Sequence, residues 1–370
     1  MPVAEEHEHP AVRVRFSPEI FRTQRYGGVS RYVVEVHKGL RGLDVDSQIL
    51  AGAHRNALLH EVDGVVGIDV DALRPGRGRQ AITKVVDRAL AGAVAGLQGP
   101  DTIWHMSYYG HERPRRAPLA VTVYDMIHER FPGEPGKQDQ SSALKRAACR
   151  AADLIFAISR DTAEDLQDRF GVAQDRIVVT HLGFTPTAPS HRPRPFGEGR
   201  FLLYVGSRRP SYKNWLALLD ALREVDAEVG LVCFGAPPES ADREAVAGRQ
   251  LADRVRFAGG DDASLAGWYS EAAALVYPSR YEGFGLPPIE ALANRCPVVA
   301  SRAGAISEIV GDLAILVEPE VEALVAGLAE VLAGGENVQR QRREGPDFAA
   351  RYQWSTTASQ TLAGYQCLGP

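Results

Sequence analysis

The densest chemistry in the chain lies at residues 277–291 (YPSRYEGFGLPPIEA), where two carboxylates, Glu282 and Glu290, bracket a loop containing Gly283 and Gly285. A buried strand is expected to end at Tyr277. Pro287 and Pro288 then open a helix, where proline's fixed φ and missing N–H cost little. The glycines let the backbone approach a ligand closely and turn its amides toward it. The helix N-terminus adds partial positive charge, which makes the loop an anion site suited to a diphosphate. Glu290, in the first helical turn, is placed to accept hydrogen bonds from ribose hydroxyls, and Glu282 to face a sugar. The plainer reading, two glutamates complementing a helix dipole, leaves the paired glycines at a strand end without a purpose.

Three further clusters accompany it. Residues 206–214 (GSRRPSYKN) again follow an apolar strand, at 201–205. There Gly206 frees the backbone, while Arg208 and Lys213 could meet two phosphates, the arginine in bidentate fashion and the lysine as a point charge. Charge-assisted bonds of this kind contribute about 1.5–3 kcal/mol each; a basic surface loop is the bland alternative. Gly27 and Gly28 feed a helix and can approach a phosphate or sugar, although a Gly-Gly pair is more often only a turn. Tyr124 and Asp125 end a core strand in residues 122–128 (TVYDMIH), with Asp125 either a functional carboxylate or the cap of the next segment.

The elements that must position these groups alternate regularly. Strands are expected at 12–16, 102–105, 119–124, 154–158 and 177–180. Between them, a helix from Gly28 carries Val29, Val33, Val36 and Leu40 at helical spacing, and another is capped by Ser159 and ends before Gly171. Residues 185–200 (TPTAPSHRPRPFGEGR) are rich in proline and lack periodicity, which marks a linker. The alternation then restarts, with strands at 201–205, 229–234, 254–257, 274–277, 297–300 and 314–317 and helices at 215–222, 287–293 and 321–332. Strands separated by helices imply parallel sheets covered on both faces. Two such α/β units put a cleft between the carboxyl ends of their strands, where these folds bind ligands.

Composition limits the alternatives. The 370 residues are 45% hydrophobic and 24% charged, with a formal net charge of −5, which argues against a protein devoted to nucleic acid. Four cysteines (Cys149, Cys233, Cys296, Cys367) stand apart among apolar neighbours and read as buried thiols of a reducing compartment. Residues 1–10, with His7 and His9, read as a polar, disordered tail rather than a secretory signal. No apolar run is long enough to span a bilayer, so a cytoplasmic protein is expected. Arginine clusters at 74–79 and 113–116 read as solvated surface, with weak contact to a membrane surface as the alternative. Asp44 and Asp46, like Asp69 and Asp71, fit the metal-binding DxD pattern superficially, but surface turns explain both pairs and no metal is expected.

Taken together, these segments resemble the retaining glycosyltransferases of family four, which have the GT-B fold, and in particular a bacterial mannosyltransferase-like branch. The resemblance covers nearly the whole chain: residues 26–32 (YGGVSRY), Tyr108 and Tyr109, 121–132, 203–214, the Glu-x7-Glu element at Glu282 and Glu290, and 352–355 (YQWS). It implies two Rossmann-like domains facing across a cleft, an acceptor-side domain at 11–185 and a nucleotide-sugar domain at 200–348. A linker at 186–199 would join them, and a C-terminal segment at 349–370 would return to the first. It further implies that Glu282 contacts the donor sugar and Glu290 the ribose. Arg208 and Lys213 would hold the diphosphate, with the backbone around Gly283, Phe284, Gly285 and Leu286. Gly27 and Gly28 would lie near the β-phosphate, and Asp125 beside acceptor and hexose, with Tyr108, Tyr109 and Tyr124 on the acceptor side. The chain departs from many members in having Tyr124 where they have histidine, and in placing Arg208 two residues beyond Gly206, with Arg209 as a rival.

The expected activity is transfer of a hexose from GDP-mannose or a UDP-hexose, without a metal cofactor, to a saccharide, a lipid-linked saccharide or a secondary metabolite. The loops at 52–79 and 107–116 are expected to select that acceptor. A sugar-nucleotide epimerase of the same fold or a non-catalytic nucleotide-sugar-binding protein would use the same cradle. A nicotinamide-dependent enzyme would need a third glycine that the Gly283 loop lacks.

Overall fold

Residues 12–368, except 61, 74–76, 97–100, 111–113, 115, 134–137 and 192–193, are described by a computed structural model. The tail with His7 and His9, and much of both arginine clusters, lie outside the described residues. In the first half, apolar runs form β1 (Arg13–Phe16), β2 (Asp46–His54), β3 (Val65–Asp69), β4 (Thr102–Met106), β5 (Leu119–Val123), β6 (Leu154–Ala157) and β7 (Ile177–Val179). They make one parallel sheet in the order β3-β2-β1-β4-β5-β6-β7. The second half supplies β8 (Phe201–Val205), β9 (Gly230–Phe234), β10 (Val255–Ala258), β11 (Ala274–Tyr277), β12 (Val298–Ser301) and β13 (Ile315–Val317). Their parallel order is β10-β9-β8-β11-β12-β13. Central strands such as β5, β9 and β11 are buried along their whole length, which is why they read as continuous apolar runs. The architecture is GT-B.

Each sheet reverses its strand order once, between β1 and β4 and between β8 and β11. Connections leaving neighbouring strands there run to opposite faces and open a crevice at the carboxyl ends. The four loops with chemistry-bearing residues leave β1, β5, β8 and β11.

Local signals explain the helices that frame the crevice. The helix Gly28–Gly42 buries Tyr32, Val33, Val36 and Leu40, each side chain of this kind worth about 1.5–3 kcal/mol when removed from water. Ser159 accepts from the Thr162 N–H at the start of Arg160–Phe170, and Gly171 closes that helix in the left-handed conformation at φ 67°. The region 52–79 differs from the expected loop. Its first residues finish β2, and 65–69 form β3 at the sheet edge. Small residues (Ala51, Gly52, Ala53) dilute the strand signal there, and Gly52 sits at φ 61° in a register shift between β2 and β3. The helices Arg77–Gly96 and Gln138–Ala151 are further elements absent from the expected pattern.

The final helix, Trp354–Gln366, returns to the first domain. A Cβ on Gly39 would stand 2.4 Å from that of Ala358, and Gly364 lies against Phe156. Tyr365 is hydrogen-bonded to the buried His105, and Thr357 donates to the His181 carbonyl at 2.8 Å.

The two domains also meet through Glu308, from the helix Ile306–Val310 of the second. Its carboxylate accepts from the backbone N–H groups of Arg160 (2.9 Å) and Asp161 (3.4 Å), at the start of a first-domain helix, and bonds His181 Nε2 at 2.6 Å. Burial works against the charge, but the His181 bond and the two amides outweigh it and hold this carboxyl below the usual glutamate range. A depressed folded-state value stabilises above the unfolded value and is lost as pH falls through the folded one. Glu308→Ala is therefore expected to lower stability by about 1–3 kcal/mol at pH 7, and to flatten the acid limb below about pH 4.5 in urea titrations. Parallel acid limbs for variant and wild type would refute the link.

Candidate active site

Lys213 and Glu282 pair in the loops that leave β8 and β11. The Lys213 Nζ donates to Glu282 Oε1 at 2.6 Å, and the two side chains are 16% and 10% exposed. Lys213 reaches this place because Ser211–Lys213 is a single tight turn, ended by Asn214 at φ 56°. Asn214 Nδ2 donates to the Pro319 carbonyl at 2.7 Å, and the Arg280 N–H to the Tyr212 carbonyl at 2.7 Å, which ties the β8 loop to the β11 loop. Beneath the pair the Lys213 ammonium stands 5.7 Å from the Tyr277 ring centre. Burial, and then the Glu282 charge, push the Tyr277 hydroxyl well up, so it remains a neutral donor.

The floor is built from glycine. Gly206, Gly235 and Gly260 end β8, β9 and β10 at φ 137°, 151° and 155°, a region closed to most side chains. A Cβ on Gly235 would lie 3.0 Å from the Gly206 carbonyl oxygen, and one on Gly259 3.1 Å from that of Gly235. The sequence reading found only the first of these. The Gly283 loop adds Gly285 at φ 107°, heading the helix Leu286–Ala293 with Pro287 and Pro288 in its first turn. Pro287 and Pro288 carry no N–H, so the amides an anion could meet here are those of the loop and Leu286. The Phe284 ring packs on His181 and Tyr352, so only its backbone can serve a ligand in the cleft.

Glu290 lies at the other end of the loop and lines an open pocket together with Arg31, Asp262, Tyr269 and Trp354. Tyr269 donates to its Oε2 at 3.0 Å. Burial raises its carboxyl above the usual value, opposed by the Tyr269 bond and the Arg31 charge. Arg31 belongs to the Gly28–Gly42 helix of the first domain and pairs with Asp262 of the second at 2.7 Å. Gly27 caps that helix and Gly28 begins it, one turn before Arg31. No Cβ clash guards Gly28, which leaves room beside its amide.

Asp125 meets the Gly283 loop directly. A Cβ on Gly283 would lie 2.0 Å from the Tyr124 carbonyl oxygen and 2.9 Å from the Asp125 Cβ, and the Met126 N–H donates to the Tyr281 hydroxyl at 2.9 Å. The domains are therefore closed upon each other here.

Other expected residues are placed differently. Arg208 does not point a free guanidinium at the Lys213–Glu282 pair. Its Nε pairs with Asp242 at 3.0 Å, and its Nη2 donates to the Ala236 and Pro237 carbonyls at 2.7 and 3.2 Å. Such a buried pair resists breaking, so Nε and Nη2 brace the loops of the floor, while Nη1 is buried with no hydrogen-bond partner among the described residues. Arg209 pairs with Glu239 in the open, 71% exposed. Tyr109 and Tyr124 are core side chains, Tyr124 donating to the Ser107 carbonyl at 3.2 Å. Tyr108 alone of the three keeps partial exposure, and burial pushes its hydroxyl up to about 12. Cys367 is exposed, unlike the other three cysteines. Asp46 is bound to Arg15, and Asp69 caps a short turn through the Asp71 N–H.

The sequence reading also missed Lys145 and Glu129. They pair at 2.7 Å beneath Asp125, with side chains 1% and 5% exposed. The signal was available: Lys145 precedes Ala148, Cys149 and Ala152 at helical spacing, a charge on an apolar face.

Known proteins match the chain in both of its halves. The family model described as Glycosyltransferase Family 4 matches residues 26–187, and that described as Glycosyl transferases group 1 matches 199–334. The chain is 32% identical to an MMP α-(1→4)-mannosyltransferase of Mycolicibacterium hassiacum over 60% of its own length and 56% of the relative's. It is 27% identical to O-antigen chain mannosyltransferase B of Escherichia coli, over 69% and 72% of the two chains. The first alignment thus spans little more than half of its relative. Among solved structures, Anabaena HepE in complex with UDP-glucose superposes with a TM-score of 0.69 at 19% identity, covering 95% of this chain and 99% of that one. Among the described residues, no helix is long and apolar enough to cross a membrane. Matched in both halves and folded as two facing parallel-sheet domains, the chain belongs to the family 4, group 1 glycosyltransferases.

Proposed function

We propose that the protein is a cytoplasmic, metal-independent, retaining hexosyltransferase using a nucleotide-diphosphate sugar. The observation that carries this reading is the Lys213–Glu282 pair at the strand-order reversal of the second sheet, closed against Asp125 of the first. The donor diphosphate lies on the Gly283–Leu286 amides and Lys213, the ribose on Glu290, and the hexose between Glu282 and Asp125. The bond from the anomeric carbon to the diphosphate breaks while the acceptor hydroxyl attacks from the same face. Its proton passes to the departing phosphate oxygen, and Lys213 with the amides stabilises the growing negative charge. Glu282 is not a covalent nucleophile, because its partner Glu290 is committed to the nucleotide rather than to a scissile bond.

The mannosyltransferase names of the two relatives favour GDP-mannose, and the UDP-glucose bound to HepE favours a UDP-hexose. The acceptor is a saccharide, a lipid-linked saccharide or a secondary metabolite. A thermal-shift panel of GDP, UDP, dTDP and ADP with and without EDTA discriminates the donors. At about 100 times its dissociation constant a ligand adds roughly 2.7 kcal/mol of apparent stability. One nucleotide is expected to stand out, with a shift that survives EDTA. A shift abolished by EDTA would contradict metal independence, and no shift with any nucleotide would contradict the transferase reading.

A further inference from the structure

Lys145 is a buried cation that the transfer chemistry leaves without a purpose. Its ammonium donates to the Asp125 carbonyl at 2.8 Å and to Glu129 Oε2 at 2.7 Å, and stands 3.8 Å from Asp125 Oδ1. It also lies 5.6 Å from the centre of the Tyr109 ring. Asp125 Oδ1 accepts from the Ile127 N–H at 3.1 Å. The carbonyl and one carboxylate oxygen of Asp125 are thus held, while Oδ2 has no hydrogen bond among the described residues and the side chain is 34% exposed. Apolar residues in place of a buried ion pair are often neutral or stabilising, so helix-to-loop packing alone does not explain a lysine here. What Lys145 supplies, and an apolar residue cannot, is a donor to the Asp125 backbone together with a charge beside its carboxylate.

We propose that Lys145, its charge balanced by Glu129, is a positioning residue that fixes Asp125 for the sugar and the acceptor hydroxyl. The inference rests on the hexosyl-transfer reading of the cleft. Since Gly283 touches Asp125 and the Tyr124 carbonyl directly, a displaced Asp125 also displaces the loop that carries Glu282. Lys145 therefore sets the geometry on both sides of the anomeric carbon.

The test compares wild type, Lys145→Met and the double variant Lys145→Met/Glu129→Gln. Turnover of GDP-mannose and of UDP-glucose is followed with water as acceptor, alongside melting temperature, nucleotide affinity and amide hydrogen exchange. The single variant leaves Glu129 buried and unpaired and is expected to melt earlier. The double variant removes that charge and is expected to regain stability. Both are expected to bind nucleotide within about twofold of wild type, yet to turn over about 10- to 100-fold more slowly, as small misplacements near reacting atoms do. The Met126 and Ile127 amides should exchange faster in both. If the double variant regains turnover along with stability, the pair is merely structural and the proposal falls. If wild type consumes neither donor, the transferase reading fails instead. Exchange then decides alone, and unchanged protection at Met126 and Ile127 overturns the positioning role.

Discussion

Glu282→Ala is expected to lower turnover by about 10²- to 10³-fold while leaving nucleotide affinity equal to wild type or higher. The asymmetry follows from the 2.6 Å bond to Lys213. Glu282 holds the ammonium that the diphosphate needs. Removing the carboxylate frees Lys213 for phosphate but leaves the hexose without its partner. Lys213→Ala should show the contrasting pattern, with affinity for GDP or UDP falling along with turnover. The lost charge-assisted bond is worth about 1.5–3 kcal/mol, or about 10- to 150-fold in binding. Single-turnover kinetics with calorimetric titration of the nucleotide separates the two. Wild-type turnover in Glu282→Ala would remove Glu282 from the site.

Gly283→Ala is the second large effect, and its cause is purely steric. The new methyl would lie 2.0 Å from the Tyr124 carbonyl oxygen and 2.9 Å from the Asp125 Cβ. The first obstacle is backbone, fixed by β5, and cannot swing aside as a flexible side chain would. The domains must instead stay apart by more than 1 Å, and a misplacement of that size costs about 10²-fold in rate. Solution scattering should show a more open particle, and nucleotide binding to the second domain should persist. A closed particle with full activity would mean that the contact is incidental.

Much of this was legible from the residues alone, and the reason is physical. β8 and β11 begin and end where their apolar runs do, because a strand buried on both faces admits little else. The Ser159 cap and Gly171 stop act within a few residues of the helix they delimit, so short sequence windows contain them. Two parallel-sheet units followed from the alternation, and the GT-B arrangement from the family resemblance of motifs at the ends of strands. What escaped was long-range. Nothing near Arg208 announces Asp242, 34 residues away, which holds its Nε. The resemblance puts Tyr124 on the acceptor side, yet adjacent residues of an ending strand point to opposite sides, and the tyrosine turns inward. Gly235 and Gly259 look like ordinary turn glycines until the sheet order lays the first beside Gly206 and the second beside Gly235.

The return of Trp354–Gln366 to the first domain also governs the order in which the chain can organise itself as it is made. Residues 201–349 hold one complete sheet and its covering helices between two crossings of the hinge. The first sheet, although translated earlier, keeps His105 and one flank of the Gly28–Gly42 helix uncovered until Tyr365 and Ala358 arrive. Domains generally condense as units during synthesis, the N-terminal one first, and here that sequence is inverted. The second domain can close while the first still waits for its last helix, so the half that is begun first is finished last.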